Sequence, residues 1–337
     1  MKALVTGGAG FIGSHLVERL LKSGNAVRML DNFSTGRREN VAGFVDDVEV
    51  VEGDIGSYER AHRAVRGCDV VFHQAALPSV PRSIEDPIAT HTTNVTGTLN
   101  ILLAARDCDI HRVIFASSSS VYGPRTALPR NETQRLNPVS PYAAGKAAAE
   151  AYCQSFWKVY GLETVVLRYF NVFGPRQDPE SQYSAVFPKF LRALLTETPP
   201  TVYGDGSQSR DFTYVENIVD ANVLASEAEG IGGQVFNVAC GKATTVNELI
   251  QELSTIAGVT IEPRYEPARR GDIRHSLADI GRATRHLGYR PRVEFCEGLQ
   301  RTLDHYEAEL TSGEGRLRAQ SLSGAPRRRR SRSAKNG

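Results

Sequence analysis

A glycine-rich turn near the N-terminus constrains the fold more than any other feature of this chain. The stretch "TGGAGFIGS" follows an apolar run and places Gly7, Gly10 and Gly13 three residues apart, at the start of a helical pattern over 11–22. Glycines at this spacing permit a tight turn, a close backbone approach to a ligand, and close packing of helix on sheet. The free N–H groups at such a helix N-terminus attract a pyrophosphate. The turn therefore predicts a dinucleotide-binding unit.

Apolar runs alternate with helical patterns through the first half of the chain, which indicates a parallel sheet covered by helices on both faces. The expected strands are "KALVTG", "AVRMLD", "VEVVEGD", "DVVFHQAA", "RVIFASS" and "ETVVLRY", and a second long helix is expected over 141–160. After Phe173 the sequence is rich in loops, although "FTYVENIVDANVLASEA" and "QVFNVAC" resemble further parts of the sheet layer. We predict a Rossmann-like, doubly wound α/β fold with a smaller interleaved α/β substrate domain. Residues 1–173, with segments near 211–240, would form the first domain, and 174–310 most of the second.

Composition excludes several classes of protein. Hydrophobic residues make up 41% and charged residues 23%, as in ordinary soluble proteins. No apolar run is long enough to span a bilayer, and the N-terminal stretch has no signal-peptide pattern. The five cysteines are scattered and form no CxxC pair, which favours reduced thiols over zinc or disulfides. We therefore expect a cytoplasmic protein without a bound metal.

The charge is distributed unevenly between the body and the C-terminal end. The segment from Thr311 carries eight Lys/Arg and one Glu, which leaves 32 basic and 37 acidic residues in the body. The body is therefore not a basic nucleic-acid binder. We expect residues 311–337 to form a disordered basic tail, because this segment is rich in Ser, Gly and Arg. Such a run can bind RNA, DNA or an anionic surface, but no aromatic side chain is interleaved to stack on bases, which favours a solvated tail.

Two aspartates follow the second and third predicted strands. Asp31 lies 18 residues after Gly13, where a carboxylate can accept both ribose hydroxyls of an adenosine. A 2′-phosphate there would meet like charge, so NAD is favoured over NADP. Arg37 and Arg38 lie nearby and are interpreted as part of a solvated loop. Asp54 in "GDI" is a candidate for the adenine edge, or a plain turn residue.

Four consecutive serines, 117–120, end the fifth predicted strand, and "SPYAAGK" follows downstream. Tyr142 and Lys146 are four residues apart at a helix start, so their side chains lie on one face. A phenol with a pKa near 10 needs about 3 units of depression, roughly 4 kcal/mol, to act as a base near pH 7. A neighbouring ammonium and a nicotinamide cation would both stabilise the phenolate. On spacing alone, a core tyrosine and an unrelated surface lysine remain an equal alternative.

The combined motifs resemble the extended short-chain dehydrogenase/reductase family, specifically the NAD-dependent UDP-hexose 4-epimerases. The resemblance covers roughly residues 1–305. The matching stretches are "TGGAGFIGSH", "DNFSTG", "GDI", "FHQAA", "NVTGTLN", "SSSSVYG", "SPYAAGK", "LRYFNVFGP", "SRDFTYV" and "RRGDIRHSLAD". Their number and order make the resemblance specific.

The resemblance implies an epimerase mechanism. Among the four serines, Ser118 matches the family's catalytic serine, 24 residues before Tyr142. Tyr142 would remove the proton of the sugar 4-hydroxyl with Ser118 beside it, while hydride passes from C4 to NAD. The 4-keto sugar would then turn over and take the hydride back on its other face. Lys146 would hold the nicotinamide ribose, and Ser117 would lie near the nicotinamide amide.

The resemblance also implies two sets of contact residues. For NAD, besides Tyr142, Lys146 and Ser117, the expected contacts are Gly7, Gly10, Phe11, Ile12, Gly13, Asp31, Asn32, Phe33, Ser34, Thr35, Gly36, Asp54, Ile55, Gln74, Ala75, Ala76, Asn94 and Phe170. For the UDP-sugar, Asn171, Arg210 and Arg269 are expected at the diphosphate, where the planar fork of arginine suits phosphate. Asp272 is expected at the uridine ribose. The remaining expected substrate contacts, besides Ser118 and Tyr142, are Ser79, Ala185, Val186, Thr201, Tyr203 and Ser276.

The sequence restricts the identity of the sugar less than it restricts the type of reaction. In the family, the position of Ser276 borders the C2 substituent, and a small residue there leaves room for an N-acetyl group. We therefore expect UDP-N-acetylglucosamine/galactosamine, UDP-glucose/galactose, or both, although Pro78 departs from the glycine common in that subgroup. A uronate 4-epimerase or decarboxylase remains an alternative, with Arg82, Arg269 or Arg270 at a C6 carboxylate. A 4,6-dehydratase is disfavoured because Ser119 and Ser120 stand where it would carry an acidic pair.

Two expectations concern the protein as a whole. The resemblance implies a homodimer through helices near 97–106 and 142–160, although Cys153 and Trp157 could equally face the monomer core. A remote alternative is an NAD-sensing binding protein whose basic tail binds nucleic acid. The intact combination of Ser118, Tyr142 and Lys146 argues against that alternative.

Overall fold

The computed structural model describes residues 1–124, 127–178, 190, 193, 198–260, 262–268 and 274–311. Strands and helices alternate through the first half, as predicted. In chain order they are β1 (Lys2–Thr6), α1 (Phe11–Lys22), β2 (Ala26–Asp31), β3 (Val48–Glu52), α2 (Tyr58–Val65), β4 (Val70–His73), α3 (Val80–Glu85), α4 (Pro87–His91), α5 (Gly97–Asp107), β5 (Arg112–Ser118), α6 (Pro141–Tyr160) and β6 (Glu163–Tyr169).

Strands in the second half are short, except where the chain rejoins the main sheet. The elements are β7 (Val172–Phe173), β8 (Thr201–Tyr203), β9 (Ser209–Arg210), β10 (Thr213–Tyr214), α7 (Val215–Glu227), β11 (Val235–Val238), β12 (Thr244–Thr245), α8 (Val246–Ala257), β13 (Arg264–Glu266), α9 (Gly281–Leu287) and α10 (Phe295–Thr311). Three two-stranded ribbons pair β7 with β10, β8 with β13, and β9 with β12.

The main sheet has seven parallel strands among the described residues, in the order β3-β2-β1-β4-β5-β6-β11. Its inner strands carry apolar side chains on both faces, which explains why they read as continuous apolar runs. Helices α1, α7 and α9 pack on one face, and α2, α5 and α6 on the other. This is the predicted Rossmann-like, doubly wound arrangement.

A separate apolar core underlies the second half. It contains Phe173, Phe212 and Tyr214 beside α8 and α10, with Leu249 and Leu299 fully buried between them. The prediction of two interleaved domains with the stated boundaries stays a prediction. The described helices include none that is long and apolar enough to cross a membrane.

Two predicted strands end earlier than expected, and the reason is local. After β3 the ladder continues for one bond, from the Gly53 N–H to the Asp31 carbonyl at 3.0 Å, and the Asp54 carboxylate then closes a turn by accepting from the Gly56 N–H at 2.7 Å. After β4 the Ala75 N–H donates to the Thr6 hydroxyl at 3.2 Å instead of to a strand carbonyl. Side-chain acceptors therefore replace the strand ladder at the carboxyl edge of the sheet, where the candidate site lies.

Candidate active site

The glycine turn between β1 and α1 has the geometry that a pyrophosphate site requires. Gly7 has a φ of +68°, and a Cβ there would lie 2.8 Å from the Ala75 backbone. A Cβ on Gly13 would lie 2.0 Å from the Gly7 carbonyl oxygen, so the helix touches the turn directly. No side chain caps α1 at Gly10, which leaves its first N–H groups for a ligand. The residues present fit the phosphates of a dinucleotide.

Asp31 stands at the end of β2 beside this turn. Its carboxylate accepts from the N–H groups of Ala9 at 2.9 Å and Phe33 at 2.8 Å, and burial raises its pKa. A Cβ on Gly36 would lie 2.8 Å from both carboxylate oxygens, so only glycine leaves their outer side accessible. This arrangement fits an adenosine ribose.

The two nearby arginines are held by carboxylates. Arg37 forms an ion pair with Asp178 at 2.6 Å, and Arg38 pairs with Glu52 at 2.8 Å while lying over the Phe33 ring. Their charges are therefore partly neutralised in the place where a 2′-phosphate would need them. The structure agrees with the prediction of NAD over NADP.

Most other residues predicted at the cofactor surround the same sheet edge. The Asn32 amide donates to Asp54 at 2.7 Å, which joins the loops after β2 and β3. The Gln74 amide donates to the Tyr169 hydroxyl. The Asn94 side chain accepts from the Leu77 N–H and donates to the Leu77 carbonyl. The others lie in the same loops or beneath them: Phe11 and Ile12 begin α1, Ser34 and Thr35 are exposed, Ala76 follows β4, and Ile55 and Phe170 are buried.

Ser118 is the last residue of β5 and starts a tight helical turn over Ser119–Tyr122. Its hydroxyl accepts from the Ser120 N–H at 3.2 Å, and it lies close enough to the Tyr142 phenol to favour the phenolate and so lower the pKa of Tyr142 in part. The structure thus brings together the serine and tyrosine that were singled out from sequence. Ser117 points elsewhere, because its buried hydroxyl donates to Glu150.

Tyr142 and Lys146 lie on the first turns of α6, which begins with Ser140 as its capping residue and Pro141 at its first position. The buried Lys146 ammonium donates to the Ala116 carbonyl at 2.7 Å and lies 4.8 Å from the centre of the Phe115 ring. Burial lowers the pKa of Lys146 to about 8, so it stays mainly protonated at pH 7. Burial raises the pKa of Tyr142, so the depression expected from sequence is not supplied by the protein alone.

A buried ion pair behind these residues was not identified from sequence. Arg168 on β6 donates two hydrogen bonds to Glu150 on α6, at 2.9 and 2.6 Å, and both side chains are only 3–4% exposed. Arg168 also donates to the Tyr122 hydroxyl at 2.9 Å, which in turn donates to Asn237 on β11 at 2.7 Å. We call these four residues, with Ser117, the buried network. It ties the catalytic face of α6 to three strands.

The predicted diphosphate contacts lie on the other side of the site. Asn171 follows β6 with a φ of +32° and donates to the Asp211 carbonyl at 3.2 Å. Arg210 donates to the carbonyls of Ser209 and Arg274 at 3.0 and 3.2 Å. Ser276 is buried beside them, and its N–H donates to the Ser209 carbonyl at 3.0 Å.

The remaining predicted substrate residues lie on separate elements or outside the described residues. Thr201 and Tyr203 lie on β8, which pairs with β13, and Ser79 caps α3 by accepting from the Arg82 N–H. Ala185, Val186, Arg269 and Asp272 lie outside the described residues. The motif "SRDFTYV" was singled out from sequence, but its Asp211, whose buried carboxylate accepts from three backbone N–H groups, was not.

Comparison with known proteins gives the family of the chain. Residues 3–239 match the model of the NAD dependent epimerase/dehydratase family. A UDP-glucose 4-epimerase of Mycolicibacterium smegmatis is 42% identical over 310 residues, 91% of this chain and 98% of the relative.

Solved structures agree with this match. A UDP-N-acetylglucosamine 4-epimerase from Methanobrevibacter ruminantium, in complex with UDP-N-acetylmuramic acid, superposes with a TM-score of 0.87 at 42% identity, covering 91% of this chain and 98% of that one. A Thermus thermophilus UDP-glucose 4-epimerase in complex with NAD gives 0.83 at 40% identity, covering 91% and 99%. This chain therefore belongs to the NAD dependent epimerase/dehydratase family, and its cofactor is NAD.

Proposed function

We propose that this enzyme is a UDP-sugar 4-epimerase that inverts C4 through a transient 4-keto sugar. The proximity of the Ser118 hydroxyl to the Tyr142 phenol carries the proposal, because a hydroxyl and a phenol meet at the end of β5, with Lys146 one turn further along α6. Two relatives that are named as UDP-sugar 4-epimerases each match 91% of this chain. The absence of an acidic residue at Ser119 and Ser120 favours epimerisation over dehydration.

In this proposal Tyr142 takes the proton from the sugar 4-hydroxyl and later returns it, while Ser118 orients both groups. Bound NAD would supply the acceptor and donor of the C4 hydride. Burial raises the pKa of Tyr142, so the phenolate needs neighbouring positive charge. Lys146 supplies part of that charge from a fixed position, because its ammonium is bonded to the Ala116 carbonyl.

The sugar is proposed to be UDP-N-acetylglucosamine/galactosamine, UDP-glucose/galactose, or both. A UDP-glucose 4-epimerase and a UDP-N-acetylglucosamine 4-epimerase are each 42% identical to this chain, so overall sequence identity does not distinguish between the two substrates. Ser276 favours the N-acetyl sugars, since a small buried side chain leaves room beside C2. Arg210 and Asn171 are proposed to bind the diphosphate.

The test is a substrate panel with purified enzyme: UDP-glucose, UDP-N-acetylglucosamine and UDP-glucuronate, each followed by NMR of the C4 epimer. We expect inversion of the first two and a higher kcat/KM for the N-acetyl sugar. Inversion of UDP-glucuronate alone would contradict our interpretation of Ser276, and release of CO2 would indicate a decarboxylase.

Substitution of the phenol tests the mechanism. Tyr142→Phe should lower kcat about a thousandfold, within the range for loss of a general base, without loss of NAD. Tyr160→Phe, on the exposed end of the same helix, is the matched control and should keep full activity. Unchanged turnover in Tyr142→Phe would overturn the assignment.

A homodimer in the cytoplasm is proposed as the working form. Cys153 is fully buried in its own chain, whereas Trp157 packs on Gly232 and Gly233 and is still 36% exposed. Tyr152 and Val159 on α6 are exposed and supply apolar surface for a partner helix. All five cysteines are free, which suits a reducing compartment. Light scattering after gel filtration tests the dimer, and Val159→Glu should produce monomers.

A further inference from the structure

The substrate side of the candidate site contains little regular structure that could hold it in place. Strands β9 and β12 have two residues each, and Ser209 meets His275 through a single isolated bridge. The loops that carry Asn171, Arg210 and Ser276 come from distant parts of the chain. Backbone bonds from β9 to the 274–276 segment and from the Thr213 N–H to the Asn171 carbonyl fix their relative positions in part, so side-chain contacts must supply the rest.

The carboxylate of Asp211 joins these loops. One oxygen accepts from the Cys240 N–H at 2.9 Å, and the other accepts from the N–H groups of Gly241 at 3.0 Å and Ala278 at 3.1 Å. These donors lie 29, 30 and 67 residues away along the chain. Asp211 is fully buried, and within the described part of the chain its carboxylate bonds only to backbone N–H groups.

One of these carboxylate bonds, together with the main chain of Asp211, reaches predicted UDP-sugar contacts. Arg210 is the preceding residue, and the Asp211 carbonyl accepts from the Asn171 amide at 3.2 Å. Ala278 lies two residues after Ser276, whose own N–H bonds to the strand that carries Arg210. Asp211 is therefore linked to three residues that the proposed function assigns to the substrate: to Ser276 through its carboxylate and Ala278, to Asn171 through its own carbonyl, and to Arg210 as its chain neighbour.

A buried carboxylate is costly, which argues that this one has a role. Burial raises the pKa of Asp211 to about 6, and the backbone N–H groups lower it in part. An asparagine has the same shape, but its NH₂ group would face N–H donors and leave at least one of them unpaired. The backbone N–H groups around Asp211 therefore require a side chain in which both terminal atoms are acceptor oxygens.

We propose that Asp211 is a positioning residue that holds Arg210, Asn171 and Ser276 in the arrangement that binds the UDP part of the substrate. The inference rests on the proposed function, because it takes these three residues as substrate contacts. Asp211 has no role in the chemistry at C4, so it should act on binding and leave the hydride-transfer side unchanged.

The experiment measures UDP binding by isothermal titration calorimetry at 10 °C, with NAD content determined on the same samples. In Asp211→Asn we expect UDP to bind at least tenfold more weakly, KM for the UDP-sugar to rise by a similar factor, and kcat and NAD content to change less than threefold. Asp279→Asn is the matched control, because that exposed carboxylate also accepts a backbone N–H, from Gly281 at 2.8 Å, and should bind UDP normally.

If Asp211→Asn fails to fold, Asp211→Ser, which keeps one small acceptor, is tested in the same way with the same expected loss. Unchanged UDP affinity in either folded variant would overturn the inference, as would a fall in kcat at constant KM. Wild-type enzyme that does not bind UDP would contradict the proposed function itself, which separates the two failures.

Discussion

The two sides of the candidate site are supported in different ways. On the cofactor side, Gly7, Asp31 and Ser118 stand at the ends of sheet strands, and the strand ladder fixes where each one lies. On the substrate side, Arg210 and Ser276 stand on two-residue strands and loops, which a few backbone hydrogen bonds and the Asp211 carboxylate join. Regular structure can position groups over many hydrogen bonds, whereas a loop depends on a few. The first side should therefore be rigid and unable to yield where a side chain is added, and the second should be sensitive at Asp211.

The largest expected effect is at the glycine turn. In Gly13→Ala the new Cβ would lie 2.0 Å from the Gly7 carbonyl oxygen, so the turn must move away from α1. We expect the purified variant to lose bound NAD completely, as measured by absorbance of the released cofactor. Gly43→Ala, where no atom lies within 4 Å of the new Cβ, should retain NAD. Full NAD content in Gly13→Ala would show that the strand ends are less rigid than we argue.

The next effect concerns the buried network. Glu150→Gln leaves the Arg168 charge buried without its partner, and losses of this kind are about 3–5 kcal/mol in free energy of unfolding. The double variant Glu150→Gln with Arg168→Met should recover much of this stability in urea titrations, because the unpaired charge is gone. If the network positions α6 as well as stabilising it, kcat stays low in the double variant. Recovery of both quantities together would indicate a purely structural pair.

A smaller effect is expected from pH. Burial lowers the pKa of His73 to about 3, where its ring bonds to the hydroxyls of Thr6 at 2.7 Å and Thr98 at 3.0 Å. The unfolded chain therefore binds a proton below pH 6.5 that the folded protein does not bind, so stability falls as pH decreases. His73 alone would cost about 3 kcal/mol between pH 6.5 and 4. His15, with a pKa lowered to about 4, acts in the same direction.

The pH effect can be assigned by substitution. Because Asn does not titrate, His73→Asn should flatten the fall in Tm between pH 6.5 and 4, even if its absolute Tm is lower. An equally steep profile in the variant would assign the acid sensitivity to other groups. Asp211 acts in the opposite direction, because its raised pKa lets the folded protein hold a proton more tightly between about pH 4 and 6.

The smallest effect is expected at an exposed ion pair on the substrate side. Lys242 and Glu294 lie 2.9 Å apart, with their side chains 71% and 67% exposed. Glu294→Ala should leave Tm, UDP affinity and activity at wild-type values, because solvent screens such pairs. A marked loss of UDP binding would mean that loop contacts other than Asp211 hold this side in place.

The same contrast explains what could be predicted from the sequence. The sheet and the group of Ser118, Tyr142 and Lys146 follow local rules: glycine spacing, apolar runs, and side chains four residues apart on one helix face. Glu150 and Arg168 obey no such rule, because they meet only after α6 has packed on β6. Asp211 bonds to residues as far as 67 positions away, and no local sequence pattern indicates such a partner. Charged residues that become buried were therefore the ones missed.

The strand order has a consequence for any attempt to divide this enzyme. The strand β11 comes from beyond the loop-rich region and pairs with β6 from Val166 to Tyr169, on the side away from β5. A fragment ending at Phe173 would leave β6 as an open edge, with apolar side chains and unpaired backbone groups available to another chain. Such a fragment would aggregate, so the cofactor-binding half cannot serve as a separate module for transfer to another enzyme.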